Sequence, residues 1–578
     1  MKDRLILAGA MDNFFIEEPD WLAMDGLDDI ILKYALQNAV GYNGKASPGS
    51  VIGRVLAERP ELKSQAKEVN QAIMRIVREV NSLSLDQQKE KLEKMAPELL
   101  VKEKKERDFK LPELSNVNGP VVMRFAPNPS GPLHIGHSRV VFLTDEFVKR
   151  YGGKYINRFE DTDPARVDPE AYDQIIEDLK WLGVKVTDTY YQSDRFETYY
   201  KLAKELLEKG HAYICTCEME GWRELKQKGV ACPHRESPTD DQMSLWDKMF
   251  DGSLAPEQAS LIIKTNLKDP NPALRDYPAL RIEDTPHPRT GAKYRVYPLM
   301  NFSVAVDDHL LGLTHVLRGK DHLNNTYRQV YIFDYFGWPK PEYIHYGRVR
   351  VVGPELSTSK MSKGIKEGTY SGWDDPQLGS LRALARRGFS PEALREYWIR
   401  AGINEVDVEF SWDTFFSLNK GIVDPVARRY FFVADPVPIT VTGIDHLDGK
   451  APLHPGDKSA GFRTYSLDKP INVLISLADS EAATKIRLKD LCNIEMRDEQ
   501  AVYMGNDIAA IKQGYKIIHW VSKDSVPMTV LMPDGTRAKG FGEKAILNEK
   551  GNVVQLERFG FVRIESVGPE IVAVFSQR

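Results

Sequence analysis

Two histidines, His134 and His137, lie three residues apart between a turn-rich segment and a stretch with helical spacing. Imidazoles at this spacing in the first turn of a helix face the same way. A helix N-terminus also favours phosphate through its free N–H groups and its dipole, and Gly136 leaves room for a nucleotide against the backbone. The pattern predicts a site that stabilises charge developing on an α-phosphate. A pair of capping or core histidines is the alternative.

A second segment rich in serine and lysine, Ser357–Gly364, contains Lys360 and Lys363. Lysines on a mobile loop can close over a polyphosphate and neutralise its leaving group. Taken alone the segment is weak evidence, because most loops of this composition are solvated surface.

Three of the four cysteines lie close together with a histidine, as Cys215, Cys217, Cys232 and His234. Four cysteines are too few for a disulfide framework in a chain of this length. Paired thiolates and an imidazole at these spacings suit a structural, tetrahedral zinc site with no position left for a reacting water. Reduced cysteines beside a surface histidine are the alternative.

Strands and helices alternate around the histidine pair. Val121–Ala126 and Lys154–Phe159 read as buried strands, and Ser138–Tyr151 and Asp168–Leu182 read as helices. This alternation predicts a parallel α/β sheet with its ligand site at the carboxyl ends of the strands. The polar interval 211–297 interrupts the alternation, which then resumes. Residues before about 115 read helical, with Ser84 and Gln87 as a capping box, and those after about 424 form short strands typical of small β-barrels.

Length and charge restrict the class of protein. The chain has 578 residues, more than one hydrophobic core holds, so several domains are expected. A net charge of −5 disfavours nonspecific coating of nucleic acid but permits a local basic groove. No apolar run reaches the length of a membrane span, and Met1–Ala8 is a poor secretory signal, so a cytoplasmic protein is expected.

The two chemical segments, in this order, resemble the glutamyl/glutaminyl branch of the class I aminoacyl-tRNA synthetases. Further motifs of that branch are Arg124–Gly131, Arg158–Pro164, Asp178–Gly183 and Gly372–Pro376. The β-rich C-terminal third is similar to archaeal and eukaryotic glutamyl enzymes and to glutaminyl enzymes, whereas bacterial glutamyl enzymes have a helical anticodon domain.

The resemblance implies a multidomain fold around a Rossmann-type α/β catalytic domain. The expected parts are a helical N-terminal extension (1–115), the first half of the catalytic domain (116–210), an acceptor-stem-binding insertion with the zinc pattern (211–297), the second half of the catalytic domain (298–350), the lysine loop with a helical stem-contact region (351–423), and all-β anticodon-binding barrels (424–578).

The resemblance also assigns roles to individual residues. It implies that His134, His137, Lys360 and Lys363 are catalytic, and that ATP binds at Pro127, Gly131, His134, Gly136, His137 and Lys360. Of the two lysines, Lys360 has the spacing to Trp373 that is nearer to that of relatives, with 12 intervening residues against nine for Lys363.

For the amino acid, the resemblance implies contacts from Arg124, Glu160 and Arg318. Glu160 would hold the α-amino group, and two guanidinium groups suit a γ-carboxylate while penalising a neutral amide. An internal salt bridge is the alternative for each arginine. Where relatives often have a substrate tyrosine this chain has Met300, so Tyr297, nearby in sequence, is the substitute candidate.

The expected activity is therefore that of a monomeric glutamate–tRNA ligase. It would activate L-glutamate with ATP and Mg²⁺ and transfer it to tRNA(Glu), with tRNA(Gln) left open as a second acceptor. The alternatives are a glutaminyl–tRNA ligase and, from another class of protein, a tRNA-binding paralogue without activation chemistry.

Overall fold

The computed structural model describes residues 26–42, 44–99, 110–497 and 500–578. It divides into two compact units, Met1–Asp108 and Phe109–Arg578. The segment Met1–Ala8, interpreted above as a poor secretory signal, lies outside the described residues. In the part of the chain that is described, no helix is both long and apolar enough to cross a membrane.

The first unit is helical and has its own core. Its helices are α1 (Leu27–Gly41), α2 (Pro48–Glu58), α3 (Ala66–Asn81) and α4 (Leu85–Met95). Ile31, Val55, Ile73 and Leu92 are fully buried between them. The predicted capping box is confirmed at the start of α4, because the Gln87 N–H donates to Ser84 Oγ at 3.3 Å and the Ser84 N–H donates to Gln87 Oε1 at 2.9 Å.

The second unit begins with a parallel α/β layer. Its first elements are β1 (Val122–Phe125), α5 (Ile135–Tyr151), β2 (Lys154–Phe159), α6 (Ala171–Trp181), β3 (Asp188–Tyr191) and α7 (Phe196–Glu208). The strands pair in parallel in the order β1-β2-β3, and both predicted strands and both predicted helices are confirmed within a few residues at their ends.

An antiparallel insertion follows. It contains β4 (Ala212–Cys215), α8 (Met219–Lys228), α9 (Thr239–Phe250), β5 (Ser260–Ile263), β6 (Tyr277–Ile282) and β7 (Val296–Pro298). The four strands form one sheet in chain order, so the polar interval of the sequence is a separate sheet inserted into the α/β layer.

The α/β pattern then returns with α10 (Met300–Leu310), β8 (His315–Gly319), α11 (Leu323–Phe336) and β9 (Glu342–Tyr346). Strands β8 and β9 are parallel. The Thr314 N–H donates to Val122 O at 3.0 Å, which places β8 beside β1. The strands therefore run β3-β2-β1-β8-β9, and the order reverses between β1 and β8. In open α/β sheets ligands bind at this reversal, outside the carboxyl ends of the strands.

A mainly helical stretch precedes the C-terminal region. It contains β10 (Val349–Arg350), α12 (Thr358–Lys366), α13 (Leu381–Arg386), α14 (Pro391–Ala401), β11 (Val408–Glu409) and α15 (Trp412–Val423). Helix α12 carries the serine- and lysine-rich segment, which is therefore helical along most of its length.

Among the described residues that remain, the regular structure is mostly β strand, as expected. Two seven-stranded sheets and one hairpin are formed. The elements are β12 (Arg429–Tyr430), β13 (Phe432–Ala434), β14 (Pro436–Thr442), β15 (His446–Pro452), β16 (Phe462–Asp468), β17 (Ile471–Ser476), α16 (Leu477–Ala482), β18 (Lys485–Leu488), β19 (Cys492–Arg497), β20 (Gln500–Tyr503), β21 (Lys516–Ile518), β22 (Val521–Ser522), β23 (Val526–Leu531), β24 (Arg537–Gly542), β25 (Val553–Leu556), β26 (Gly560–Ser566) and β27 (Ile571–Gln577).

Candidate active site

A small cavity lies where the strand order reverses. It has a volume of about 240 Å³ and is lined by Arg124 from β1, Arg318 from β8 and Glu160 just after β2. His137, Pro127 and Met300 also line it. Pockets for drug-sized ligands have volumes of about 300–1,000 Å³, so this cavity suits a ligand no larger than an amino acid.

A buried ionic network lies behind this cavity and reaches it through Arg124 and Glu160. Arg158 Nη1 donates to Asp308 Oδ1 at 2.6 Å, and Arg158 Nη2 donates to Glu160 Oε1 at 3.0 Å. Arg124 Nε lies 3.6 Å from the same Asp308 oxygen. Burial alone would lower the pKa of Arg158, but the neighbouring carboxylates outweigh it and raise that pKa, so the Arg158 guanidinium is a cation at neutral pH.

Arg318 has only uncharged partners among the described residues. Its Nη1 donates to Gln329 Oε1 at 3.0 Å, its Nη2 donates to Thr326 Oγ1, and its guanidinium lies 4.7 Å from the centre of the Tyr343 ring. Burial, followed by the charge of Arg124, lowers the pKa of Arg318 to about 10. The side chain is therefore still a cation at neutral pH, and no carboxylate in the described chain lies within ion-pair distance of it.

The small cavity has an excess both of positive charge and of hydrogen-bond donors. Two guanidinium groups, those of Arg124 and Arg318, and one carboxylate, that of Glu160, line this cavity. Several buried side-chain atoms of the cavity lining and of the ionic network behind it also have no hydrogen-bond partner within the described ranges, namely Arg124 Nε, Arg318 Nε and Gln329 Nε2 in the lining and Arg158 Nε and Asp308 Oδ2 behind it. Most of these atoms are donors. Because unpaired buried donors cost free energy, the site is suited to a ligand that brings an acceptor with negative charge.

The histidine pair lies at the start of α5, as predicted. The rings of His134 and His137 stack with their centres 3.7 Å apart. His134 Nδ1 accepts from the Gly136 N–H at 3.1 Å, and His137 Nδ1 accepts from the His134 N–H at 3.3 Å. Burial lowers the pKa of His134 to about 4 and that of His137 well below its usual value. With both Nδ1 atoms accepting, the neutral rings carry their proton on Nε2, where each can donate.

Gly136 and Gly131 are both places where a side chain would not fit. A Cβ at Gly136 would lie 3.0 Å from the His134 ring. A Cβ at Gly131 would lie 2.6 Å from Thr358 Cγ2 on α12 and 3.0 Å from the Trp373 ring. The loop between β1 and α5 is therefore in direct contact with the start of α12.

A second, larger cavity of about 1290 Å³ adjoins the first, because Asn128, Glu160 and Met300 line both. Lys363 lines the larger cavity, together with Lys366. Lys360 does not; its Nζ lies 3.6 Å from Glu355 Oε2 and the side chain is 74% exposed. The structure thus brings Lys363 to the cavity and leaves Lys360, which the spacing favours, on the outer side of α12.

Tyr297 does not reach the small cavity. It is fully buried in β7, in edge contact with Phe196 at 5.3 Å, and its hydroxyl donates to Thr285 O at 3.4 Å. The residue packs in the core of the insertion, where its ring lies among other buried side chains of that cluster. The structure therefore does not bring Tyr297 to the small cavity, whereas Met300 lines it.

The CxC…CxH residues come together in the insertion. Their four ligand atoms lie within 4.8 Å of one another. Cys215 Sγ lies 3.7 Å from Cys232 Sγ and 3.8 Å from His234 Nδ1, and Cys217 Sγ lies 3.3 Å from the same nitrogen. A Zn–S bond of about 2.3 Å in a tetrahedron gives ligand separations of about 3.7 Å. Thr216 Oγ1 lies 2.9 Å from His234 Nε2, which leaves Nδ1 to face the thiols.

Several residues that line the small cavity or contact its arginines carried no assignment from the sequence. Asp308 is one, although two adjacent acids in the otherwise apolar α10 require buried partners and were a usable signal. Thr326 and Gln329 gave a weaker signal, because they are two polar residues three apart and therefore share one face of a helix. Tyr343 gave none, because an aromatic residue in a strand reads as core.

Comparison with known proteins assigns the fold and site to a class. The family described as "tRNA synthetases class I (E and Q), catalytic domain" matches residues 120–424. Two families of "tRNA synthetases class I (E and Q), anti-codon binding domain" match residues 427–515 and 517–565. The chain therefore belongs to the class I tRNA synthetases of the E and Q type.

Individual relatives cover nearly the whole chain. A protein named glutamate–tRNA ligase from Methanocaldococcus jannaschii is 52% identical over 93% of this chain and 98% of its own length. Proteins of the same name from Methanoculleus marisnigri and Thermoplasma volcanium are each 48% identical, over 96% and 93% of this chain and 100% and 97% of their own lengths.

Proposed function

We propose that this protein is a glutamate–tRNA ligase. The observation that carries the proposal is the buried Arg318 guanidinium, which has no carboxylate partner among the described residues and lines a cavity the size of an amino acid. A γ-carboxylate supplies the missing negative charge and hydrogen-bond acceptors. The names of the relatives support the same substrate.

The same geometry opposes the glutaminyl alternative. A neutral amide would leave the charge of Arg318 buried and uncompensated. Glutamine should therefore bind more weakly than glutamate. Glu160, which lines both cavities, would accept from the α-amino group while Arg158 donates to its Oε1. The amino acid would then lie with its side chain toward β8.

Adenylate formation would take place where the two cavities meet. The neutral His134 and His137 rings present Nε2–H donors at the N-terminus of α5, where an α-phosphate is favoured. Pro127, Gly131 and Gly136 would form the part of this loop that contacts the nucleotide; a side chain at Gly131 or Gly136 would instead crowd Thr358 or His134. Lys360 or Lys363 on α12 would neutralise the leaving pyrophosphate, and Mg²⁺ would accompany ATP. The acyl group then passes to the terminal adenosine of the tRNA.

The tRNA would extend across the second unit. We assign the acceptor stem to the insertion (211–297), the inner stem to the helical stretch (351–423) and the anticodon to the β sheets (424–578). Matches to anticodon-binding families support the last of these. We further propose that the enzyme is monomeric and cytoplasmic and that it charges tRNA(Glu). Whether tRNA(Gln) is a second acceptor is to be tested.

A structural zinc ion is part of the proposal. Cys215, Cys217, Cys232 and His234 would hold it, and their separations and soft donor set fit. Bound zinc would tie β4 to the turn that follows α8. All four positions are filled by protein, so the ion has no part in the reaction.

Amino-acid-dependent exchange of pyrophosphate into ATP tests the proposed function. Glutamate and glutamine are compared, each with and without tRNA(Glu). Exchange with glutamate alone supports the proposal, and exchange with glutamine would instead indicate the glutaminyl activity. A folded, tRNA-binding protein that gives no exchange with either amino acid would be the non-activating paralogue.

A further inference from the structure

Gln329, near the middle of α11, lines the small cavity with an incomplete set of hydrogen bonds. Its side chain is fully buried and lines the cavity. Its Oε1 accepts from Arg318 Nη1 at 3.0 Å. Its Nε2 is buried and has no hydrogen-bond partner in the described ranges of the chain.

The orientation of this amide is fixed by its neighbour. An arginine has donors only, so the atom that faces Arg318 must be the oxygen of Gln329. The NH₂ group is therefore turned away from Arg318. A buried amide with two unused donors is unfavourable unless a ligand or a water accepts from it.

Arg318 is in turn held in place by the same helix. Thr326, one turn before Gln329, accepts from Arg318 Nη2 and lies 2.9 Å from His345 Nε2. The guanidinium is thus fixed from α11 on one edge, while Tyr343 packs against its face. Gln329 and Arg318 form one rigid set of donors, and both line the cavity.

We propose that Gln329 is a specificity-determining residue that donates through Nε2 to the side-chain carboxylate of the bound amino acid. The inference rests on the proposed function, since it takes glutamate as the substrate. A carboxylate accepts at both oxygens, so one oxygen can bind Arg318 while the other binds Gln329. The side chain of glutamine has only one oxygen, so its own NH₂ group must face one of the two donors. Gln329 therefore selects against the amide as well as for the acid.

Two substitutions of similar size test the hydrogen-bond donor at this position. Gln329→Met keeps most of the volume and removes both hydrogen-bonding functions. Gln329→Glu places a carboxylate beside Arg318, which it neutralises, and offers acceptors where donors were. The control is Asn324→Ala, an exposed position of α11 whose side chain contacts Asn271, outside the cavity.

Steady-state pyrophosphate exchange is measured with tRNA present for glutamate, glutamine and ATP in turn. We expect Gln329→Met to raise the KM for glutamate about 10- to 100-fold, as for a lost hydrogen bond to a charged group, and to leave the KM for ATP unchanged. Gln329→Glu is expected to lower kcat/KM for glutamate further and to reduce the preference for glutamate over glutamine at least tenfold. Asn324→Ala should match the unmodified protein.

Three outcomes would overturn the assignment. Unchanged glutamate KM in Gln329→Met would show that Nε2 does not contact the substrate. Equal losses for glutamate and ATP, together with a lower unfolding temperature, would show that Gln329 is purely structural. An unchanged amino-acid preference in a folded Gln329→Glu protein would contradict the selective role. Failure of the unmodified protein to activate glutamate would instead overturn the proposed function.

Discussion

The Arg318 guanidinium is the residue on which recognition of the acid depends most directly. Arg318→Ala is expected to lower kcat/KM for glutamate about 10²- to 10³-fold, because truncating one partner of a buried charge pair costs about 2–5 kcal/mol. Activity with glutamine should change little and should not become efficient, since no paired donor and acceptor for an amide has been built. Exchange assays with both amino acids at saturating ATP measure this.

Arg318→Lys is the informative companion variant. It keeps the charge but loses the planar guanidinium that donates to Thr326 and Gln329 at the same time. We therefore expect a loss of kcat/KM for glutamate smaller than that of Arg318→Ala. Unchanged glutamate kinetics in a folded Arg318→Ala protein would mean that the arginine is structural, and the choice of glutamate over glutamine would lose its main physical support.

The histidine pair makes a prediction about pH. The pKa of His134 in the folded protein is about 4, below the value of about 6.5 for an unfolded histidine. Between these values the unfolded chain binds a proton that folded His134 does not, so this residue makes the free energy of unfolding fall as pH is lowered from 6.5 towards 4. Above pH 6.5 it contributes no pH dependence. In His134→Asn, the free energy of unfolding measured by chemical denaturation should depend less strongly on pH between these two values.

His134→Ala and His137→Ala test the same residues by activity. Removing one preorganised donor typically costs about 10²–10³ in rate, so adenylate formation should fall by that factor while tRNA binding is retained. Near-normal turnover in both variants would leave the pair as a helix cap, since both rings already accept from backbone N–H groups of α5.

At the scale of elements, α12 decides which lysine acts. We expect Lys360→Ala to slow glutamate activation more than Lys363→Ala, because Lys360 has the spacing to Trp373 closer to that of the family. Lys360 is 74% exposed and lies outside the cavity, so this ranking requires α12 to shift when ATP binds. The reverse ranking would mean that α12 keeps its present position when ATP binds, with Lys363 at the cavity. Single-turnover adenylate formation compares the two.

The insertion is expected to hold one zinc ion per chain by elemental analysis. Cys232→Ser should lower the zinc content and the unfolding temperature, and should impair transfer to tRNA more than activation, because the insertion is assigned to the acceptor stem. Cys492→Ser is the matched control, since Cys492 is a buried cysteine in β19 outside the cluster. A metal-free protein of full activity would leave the three cysteines as core residues.

At the scale of the whole molecule, the two units should be separable. The first unit has its own hydrophobic core, and all three family matches begin after it. We therefore expect a chain that begins at Phe109 to fold and to activate glutamate within a few-fold of the full-length rate. A large loss of activation in a folded truncated protein would show that the first unit contributes to the chemistry.

The sequence by itself determined the elements and the class of site. Periodicity and capping residues predicted β2 and α5 and the start of α4, because strand and helix periods and caps are local properties. The histidine pair and the CxC…CxH residues are close in sequence or on adjoining turns, so their grouping also followed from spacing. The order of the motifs along the chain carried the resemblance to the family.

Only the tertiary structure decided which groups face one another across the sheet. Arg124, Asp308, Arg318 and Gln329 come from β1, α10, β8 and α11, and they meet because the strand order reverses between β1 and β8. The same topology removed Tyr297 from the cavity, since β7 belongs to the sheet of the insertion. Lys363 lines the larger cavity and Lys360 does not, although residues three apart share a helix face, because the Lys360 Nζ lies beside Glu355 Oε2 instead.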